Sequence, residues 1–233
     1  MKKNKKLSYW NPGLIHFFLT PNFLTQKTLF ESISKYKNLI GGKILDFGCG
    51  QKPYVDLFDF TEYIGLELND QSYSRADLFY DGKEIPFKEK EFDSVVSFQV
   101  LYQCDDIDFC LNQIKRVLKD NGSLLISLPF MWFDGGDNPE RRFSAYEIKN
   151  LLNRNGFKIL NQSLTCNNLS STFVLINSFI NTEITNKIPL RIIRIFLRLI
   201  ICTFLNTLSL ISYKITPRTS NIYLNRIILA KKI

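Results

Sequence analysis

The run Lys43-Ile-Leu-Asp-Phe-Gly-Cys-Gly50 sets an acidic side chain, Asp46, just ahead of a Gly-x-Gly turn, a pattern suited to a pocket for a nucleotide-like ligand. Ile44, Leu45 and Phe47 supply a buried strand, while Gly48 and Gly50 permit backbone angles and a ligand approach that a side chain would block. Alone, such a turn also serves as a plain strand-to-helix connection. A second apolar run, Tyr63-Ile-Gly-Leu-Glu67, ends in a carboxylate at the spacing where it can accept hydrogen bonds from a ribose diol. Ala76 to Tyr80 ends in Asp81-Gly82, and Phe92 to Phe98 follows Ile85-Pro86-Phe87. Four strand ends with polar or small residues, each followed by a loop or helix, describe one edge of an open parallel sheet.

These residues carry a resemblance. The segments Ile44–Tyr54, Tyr63–Leu68, Ala76–Phe87, Glu91–Gln103 and Ile114–Phe130 together resemble the class I S-adenosylmethionine-dependent methyltransferases, in their methyltransferase type 11-like group. The likeness covers roughly Leu39 to Leu160 and the last strand. It implies an α/β, Rossmann-like fold: a seven-stranded, mostly parallel sheet flanked by helices, with S-adenosylmethionine as cofactor. It also implies that Asp46, Gly48 and Gly50 border the cofactor's amino-acid end and sulfonium, that Glu67 holds the ribose hydroxyls, and that Asp81 and Gly82 line the adenine. Cys49, Leu68, Phe98 and Gln99 fall beside these positions and are assigned to the same pocket.

The stretch from Pro129 to Phe143 follows the fifth strand and is the candidate acceptor loop. Trp132 and Phe133 offer apolar walls, Asp134 and Asp137 offer bases, and Arg141 and Arg142 offer anion contacts. A solvated connector with its aromatics packed on the sheet fits the same residues. Where many members of the group carry a Glu-His pair after strand four, this chain has Tyr102-Gln103, so Tyr102 joins Asp134 and Asp137 as a candidate acid/base group.

The elements that must position these groups are readable in outline. Asn22 to Ile40 is expected to be a helix ahead of the sheet, and Asp106 to Lys119 a second one with an inward stripe, closed by Asn121-Gly122. Ser144-Ala-Tyr-Glu147 is a capping box that opens a helix closed by Gly156. Phe157 to Leu164 and Ile222 to Ala230 are the expected sixth and seventh strands. The expected organisation is a single domain over 1–233: a tail and helix at 1–40, a cofactor-binding core at 41–164, a helical insertion at 165–221 and the final strand at 222–233.

That insertion is the chain's second signature. Arg191, Arg194 and Arg198 share one helical face, with Ile192, Ile193, Phe196 and Leu197 on the rest. Leu199 to Tyr213 is uncharged but only about 22 Å long as a helix, against a bilayer core of about 30 Å. Peripheral membrane contact through 189–213 is one expectation, and a lid over the acceptor or a dimer face is the other.

With 233 residues, 45% of them hydrophobic, the chain can bury a sizeable core, and a net charge of +8 suits an anionic partner. Its Lys and Arg are dispersed among Ile and Leu, which argues against nucleic acid. Five scattered cysteines suggest reduced thiols in a cytoplasmic protein, no signal-peptide core follows the basic start, and no Cys/His cluster has metal-ligand spacing. The expected activity is O-methylation of a small or lipid-linked acceptor, a saccharide or polyisoprenoid-type intermediate at the inner membrane face. Its alternatives are a quinone-pathway C- or O-methyltransferase and a non-catalytic, membrane-associated binding subunit.

Overall fold

The computed structural model describes residues 10–69, 74–133 and 140–233. Its helices are α1 (Leu14–Leu19), α2 (Phe23–Ser34), α3 (Ile107–Val117), α4 (Ala145–Arg154), α5 (Ser170–Phe179) and α6 (Arg191–Ile215). Its strands are β1 (Lys43–Phe47), β2 (Glu62–Leu68), β3 (Leu78–Tyr80), β4 (Phe92–Phe98), β5 (Leu118–Pro129), β6 (Phe157–Thr165) and β7 (Asn225–Lys232). The chain divides into two compact units, Ile33–Ser163 with Arg226–Ile233 and Met1–Ser32 with Leu164–Asn225.

The first unit holds the seven-stranded sheet, in the order β3-β2-β1-β4-β5-β7-β6. β1 runs parallel to both β2 and β4, β2 to β3, and β4 to β5. Strands covered on both faces need continuous apolar sequence, and β1 obeys with Ile44, Leu45 and Phe47 while admitting Asp46 near its end. This is the Rossmann-like sheet expected, with one apolar helix, α6, before the last strand.

Helix α3 begins where the Asp106 carboxylate accepts the Phe109 N–H at 2.9 Å, and buries Ile107, Leu111, Ile114 and Val117 in the core. It stops at Val117, earlier than the expected Asn121-Gly122. Leu118 already pairs with Phe92, and the ladder resumes only at Ser94 opposite Ser123, so Lys119 to Gly122 form an irregularity between helix and strand. Asn121 takes φ +59° there, and Lys119 reaches Asp93 at 2.7 Å across it. Helix α4 has the expected capping box: Ser144 Oγ accepts the Glu147 N–H at 3.2 Å and Glu147 accepts the Ser144 N–H at 2.8 Å.

Helix α2 ends at Ser34, and the rest of the expected 22–40 helix is turns and a bend. A single π-helical turn, Ile180–Ile184, and a short 3-10 segment, Thr185–Lys187, extend α5 toward α6. The buried sides of α5 and α6 are mostly polar. Asn177 donates to Asn206 Oδ1 at 3.1 Å and to the Pro21 carbonyl at 3.1 Å, and accepts from Asn181 at 2.9 Å. Asn206 in turn donates to the carbonyls of Phe17 and Thr20, tying α1 to α6. His16 accepts the Gly13 N–H at the start of α1, a local capping contact.

Candidate functional site

The Gly turn follows β1 at the switch point of the sheet, where the neighbours of β1 lie on opposite sides in chain order. Gly48 takes φ +71° and Gly50 φ +47°. A Cβ on Gly48 would lie 2.4 Å from Val100, whereas one on Gly50 would meet nothing within 4 Å. The turn is therefore packed against protein at its first glycine and open at its second. Gly48 and Cys49 both donate their N–H groups to the Leu66 carbonyl, and the Gly50 N–H is taken by Glu67 Oε2 at 2.9 Å. The other Glu67 oxygen accepts the Leu68 N–H at 3.2 Å, which leaves acceptor capacity on both oxygens for a diol.

Beneath the turn lies a network that the sequence pattern does not announce. Asp46 is buried and accepts the Tyr63 hydroxyl at 2.6 Å. Lys52, at φ +51°, pairs with Asp77, whose carboxylate also accepts the Gly65 N–H at 2.7 Å. Burial alone would raise the Asp77 carboxyl, yet the Gly65 N–H and Lys52 hold it below the usual range. A side chain at Gly65 would strike Lys52 at 2.3 Å and Cys49 at 2.7 Å, so that glycine makes room for the lysine. The signals were Lys52 two residues past Gly50 and Asp77 opening the third strand, but nothing in their spacing pairs them.

Burial pushes the Asp46 carboxyl up to about 7 from 3.8, against the pull of Tyr63 and Lys52. Its pKa in the folded cofactor-free protein thus exceeds that in the unfolded chain, and stability from the held proton is lost as pH rises through about 7. Asp46→Asn keeps an acceptor for Tyr63 and removes this loss. Its unfolding free energy is expected to exceed the wild type's by about 4 kcal/mol near pH 8 and to converge with it near pH 4. Parallel pH profiles in denaturant titrations would contradict the assignment. Burial also pushes the Cys49 thiol up to about 12, which makes it a small packing residue and no nucleophile at neutral pH.

Of the other expected cofactor positions, Leu68 ends β2 exposed, Asp81 accepts the Lys83 N–H at 3.1 Å, and Gly82 takes φ +83° where a Cβ would lie 3.3 Å from the Leu68 side chain. Phe98 packs edge-on to Tyr54 at 4.8 Å. The Gln99 side chain donates to Ser127 Oγ at 3.0 Å and braces β4 against β5. Arg116 fixes the Ile85-Pro86-Phe87 loop through two carbonyls at 2.6 and 2.8 Å, a role hidden among the apolar positions of α3.

On the acceptor side, Trp132 and Phe133 are part-exposed and pack edge-to-face at 5.8 Å. Asp134 and Asp137 lie outside the described residues. Arg141 and Arg142, expected as anion contacts, each have partners within the chain. Arg141 donates to the Cys104 and Asp105 carbonyls, where an anion would also face Asp105, Asp106, Asp108 and Glu147. Arg142 pairs with Glu140 at 2.6 Å and lies over the Tyr102 ring at 5.7 Å. Burial and Glu140 raise the Tyr102 hydroxyl above its ordinary 10, so at neutral pH it is a proton-bearing donor.

Residues 45–126 match a family described as a methyltransferase domain. A probable S-adenosylmethionine-dependent methyltransferase of Mycolicibacterium smegmatis is 29% identical over 136 residues, 51% of this chain and 53% of that protein. A fatty-acid O-methyltransferase of the same organism is 26% identical over 42% of this chain and 40% of its own. The chain spans about half the length of the curated relatives it matches. Among solved structures, a protein described as a [4+2]-cyclase shares the fold, with TM-score 0.57 and 18% identity over 99% of this chain and 85% of its own.

Proposed function

Because the chain is built around a class I S-adenosylmethionine-dependent methyltransferase domain, we propose that it transfers a methyl group from that cofactor to an oxygen of a small or lipid-linked acceptor. The observation that carries the reading is the pairing of an open Gly50 with Glu67, which holds the Gly50 N–H and keeps lone pairs for a diol. The residues fit the cofactor: space above Gly50, a carboxylate at Glu67, and a buried carboxyl, Asp46, that a nearby positive charge would keep ionised.

The cofactor supplies a methyl already activated on a sulfonium sulfur, which leaves as a neutral thioether. The chain's own task is then to bind, exclude water and aim the acceptor. Trp132 and Phe133 wall an apolar acceptor, Tyr102 donates a hydrogen bond to it, and the proton released from its hydroxyl passes to Asp134 or Asp137. A saccharide or polyisoprenoid-type acceptor is favoured, and the fatty-acid O-methyltransferase among the relatives supports a lipid-like one.

A second reading, a binding subunit that keeps the fold without the chemistry, draws on Tyr102-Gln103 standing where an acid/base pair is common. The likeness to a [4+2]-cyclase supports keeping it, since one fold serves unlike activities. Calorimetric titration with S-adenosylmethionine and S-adenosylhomocysteine tests the first step, and micromolar binding of both is the expected result. Folded protein that binds neither overturns the cofactor pocket. Binding with no S-adenosylhomocysteine formed across lipid-linked sugars, quinone precursors and fatty acids selects the second reading.

A further inference from the structure

We propose that the unit formed by Met1–Ser32 and Leu164–Asn225 docks on an anionic lipid bilayer, with the outward side of α6 seated at the acyl boundary. The inference stands independently of methyl transfer, because it rests on how this unit distributes polarity and charge.

Its polarity is inverted. The buried side of α6 presents Cys202, Asn206, Ser209 and Ser212 with a single Leu205, and that of α5 presents Ser170, Ser171, Asn177 and Ser178 with a single Val174. These groups are joined by side-chain amides: Asn168 alone donates to the carbonyls of Ser212, Tyr213 and Thr216 at 3.1–3.4 Å. The opposite side of α6 exposes Phe196, Ile200, Phe204 and Ile211, with Ile200 50% and Phe204 63% accessible. A water-soluble helix packs the other way round, apolar side in. Polar groups paired inside and apolar groups outside are the arrangement that a lipid environment stabilises.

The charge is segregated as well. This unit carries eleven Lys and Arg against two Asp and Glu, whereas the sheet unit carries nineteen against twenty. The whole basic excess of the chain therefore belongs to the unit with the exposed apolar helix. Arg191 at one end of α6 and Lys214 at the other are exposed and stand where headgroup phosphates would meet them, while Lys187 is paired with Glu183 at 2.9 Å and Arg218 lies over the Tyr213 ring. The same excess opposes a second copy on this face, since two such units would repel. Arg198 donates to Asn181 and Asn186, which keeps its charge on the polar side of the helix and favours lying along the surface over crossing it.

The test uses the purified full chain in flotation with vesicles of phosphatidylcholine alone, and of phosphatidylcholine mixed equally with phosphatidylglycerol. The chain is expected to float with the mixed vesicles and to stay largely behind with the neutral ones. Replacing Ile200→Asp and Phe204→Asp together should lower the partition coefficient by about a hundredfold while the circular-dichroism melt is kept. Ile192→Asp, at a position 83% accessible, gives a second variant whose fold is not at stake, with about a tenfold drop expected. Absence of flotation with mixed vesicles, or undiminished flotation of the folded variants, overturns the proposal. So does a wild type that is dimeric by light scattering and made monomeric by the double substitution, which would assign the face to a second copy.

Discussion

Gly48→Ala is expected to abolish measurable S-adenosylmethionine binding and to destabilise the sheet unit by about 2–5 kcal/mol. Two costs combine. An L-residue in the left-handed region costs roughly 1–2 kcal/mol, and Gly48 sits at φ +71°. Overpacking adds about 1–3 kcal/mol, because the new Cβ would lie 2.4 and 2.5 Å from the two Val100 methyls. The turn can relieve that overlap only by moving, which drags the Gly50 N–H off Glu67. Gly50→Ala provides the contrast: with nothing within 4 Å, it should cost stability only about 1 kcal/mol yet still impair binding, since its methyl enters the ligand's space. Combining Gly48→Ala with Val100→Ala should restore part of the stability, a coupling that a thermal-melt double-mutant cycle detects. Equal binding by wild type and Gly48→Ala would remove the turn from the cofactor site.

Glu67→Ala should weaken S-adenosylmethionine binding by about a hundred- to a ten-thousandfold. Hydrogen bonds to a charged group contribute roughly 1.5–3 kcal/mol each, and the loss of two to a ribose diol accounts for that range. The alanine also leaves the Gly50 N–H, now taken by Glu67 at 2.9 Å, without its acceptor. Glu67→Gln keeps one acceptor oxygen and should lose about tenfold. The decisive readout is an analogue lacking both ribose hydroxyls: wild type and Glu67→Gln should bind it alike. A persistent difference on that analogue would show that Glu67 acts only through the turn.

Much of the sheet unit was legible because its constraints are local. A strand covered on both faces must be apolar, a Gly-x-Gly turn must follow it, and a capping box announces itself four residues at a time. The Lys119–Gly122 irregularity was not legible, since Asn121-Gly122 signals a turn without saying whether a strand has already begun. Lys52, Asp77 and Tyr63 escaped for a different reason. Their partners are brought by strand register, with Asp46 opposite Gly65 in the β1–β2 ladder. The internal partners of Arg141 and Arg142 were not legible either, because a guanidinium near a candidate pocket satisfies neighbouring carbonyls as readily as a ligand. In the insertion the apolar count was plain, but which side faced inward was not: periodicity locates a stripe and is silent on whether packing or lipid receives it.

The strand order carries a consequence for how the chain is made. β7 is the last described strand in sequence, yet in the sheet it separates β5 from β6, and residues 166–224 are synthesised between β6 and β7. A nascent chain that has just released β6 therefore holds two strand flanks waiting for a partner that the ribosome has yet to deliver, while the apolar outside of α6 emerges first. Sheet closure is a late, long-range event, slow by its loop length and exposed to wrong pairing in the interval. Supplying the β7 segment in trans to a chain truncated before it would time that closure directly.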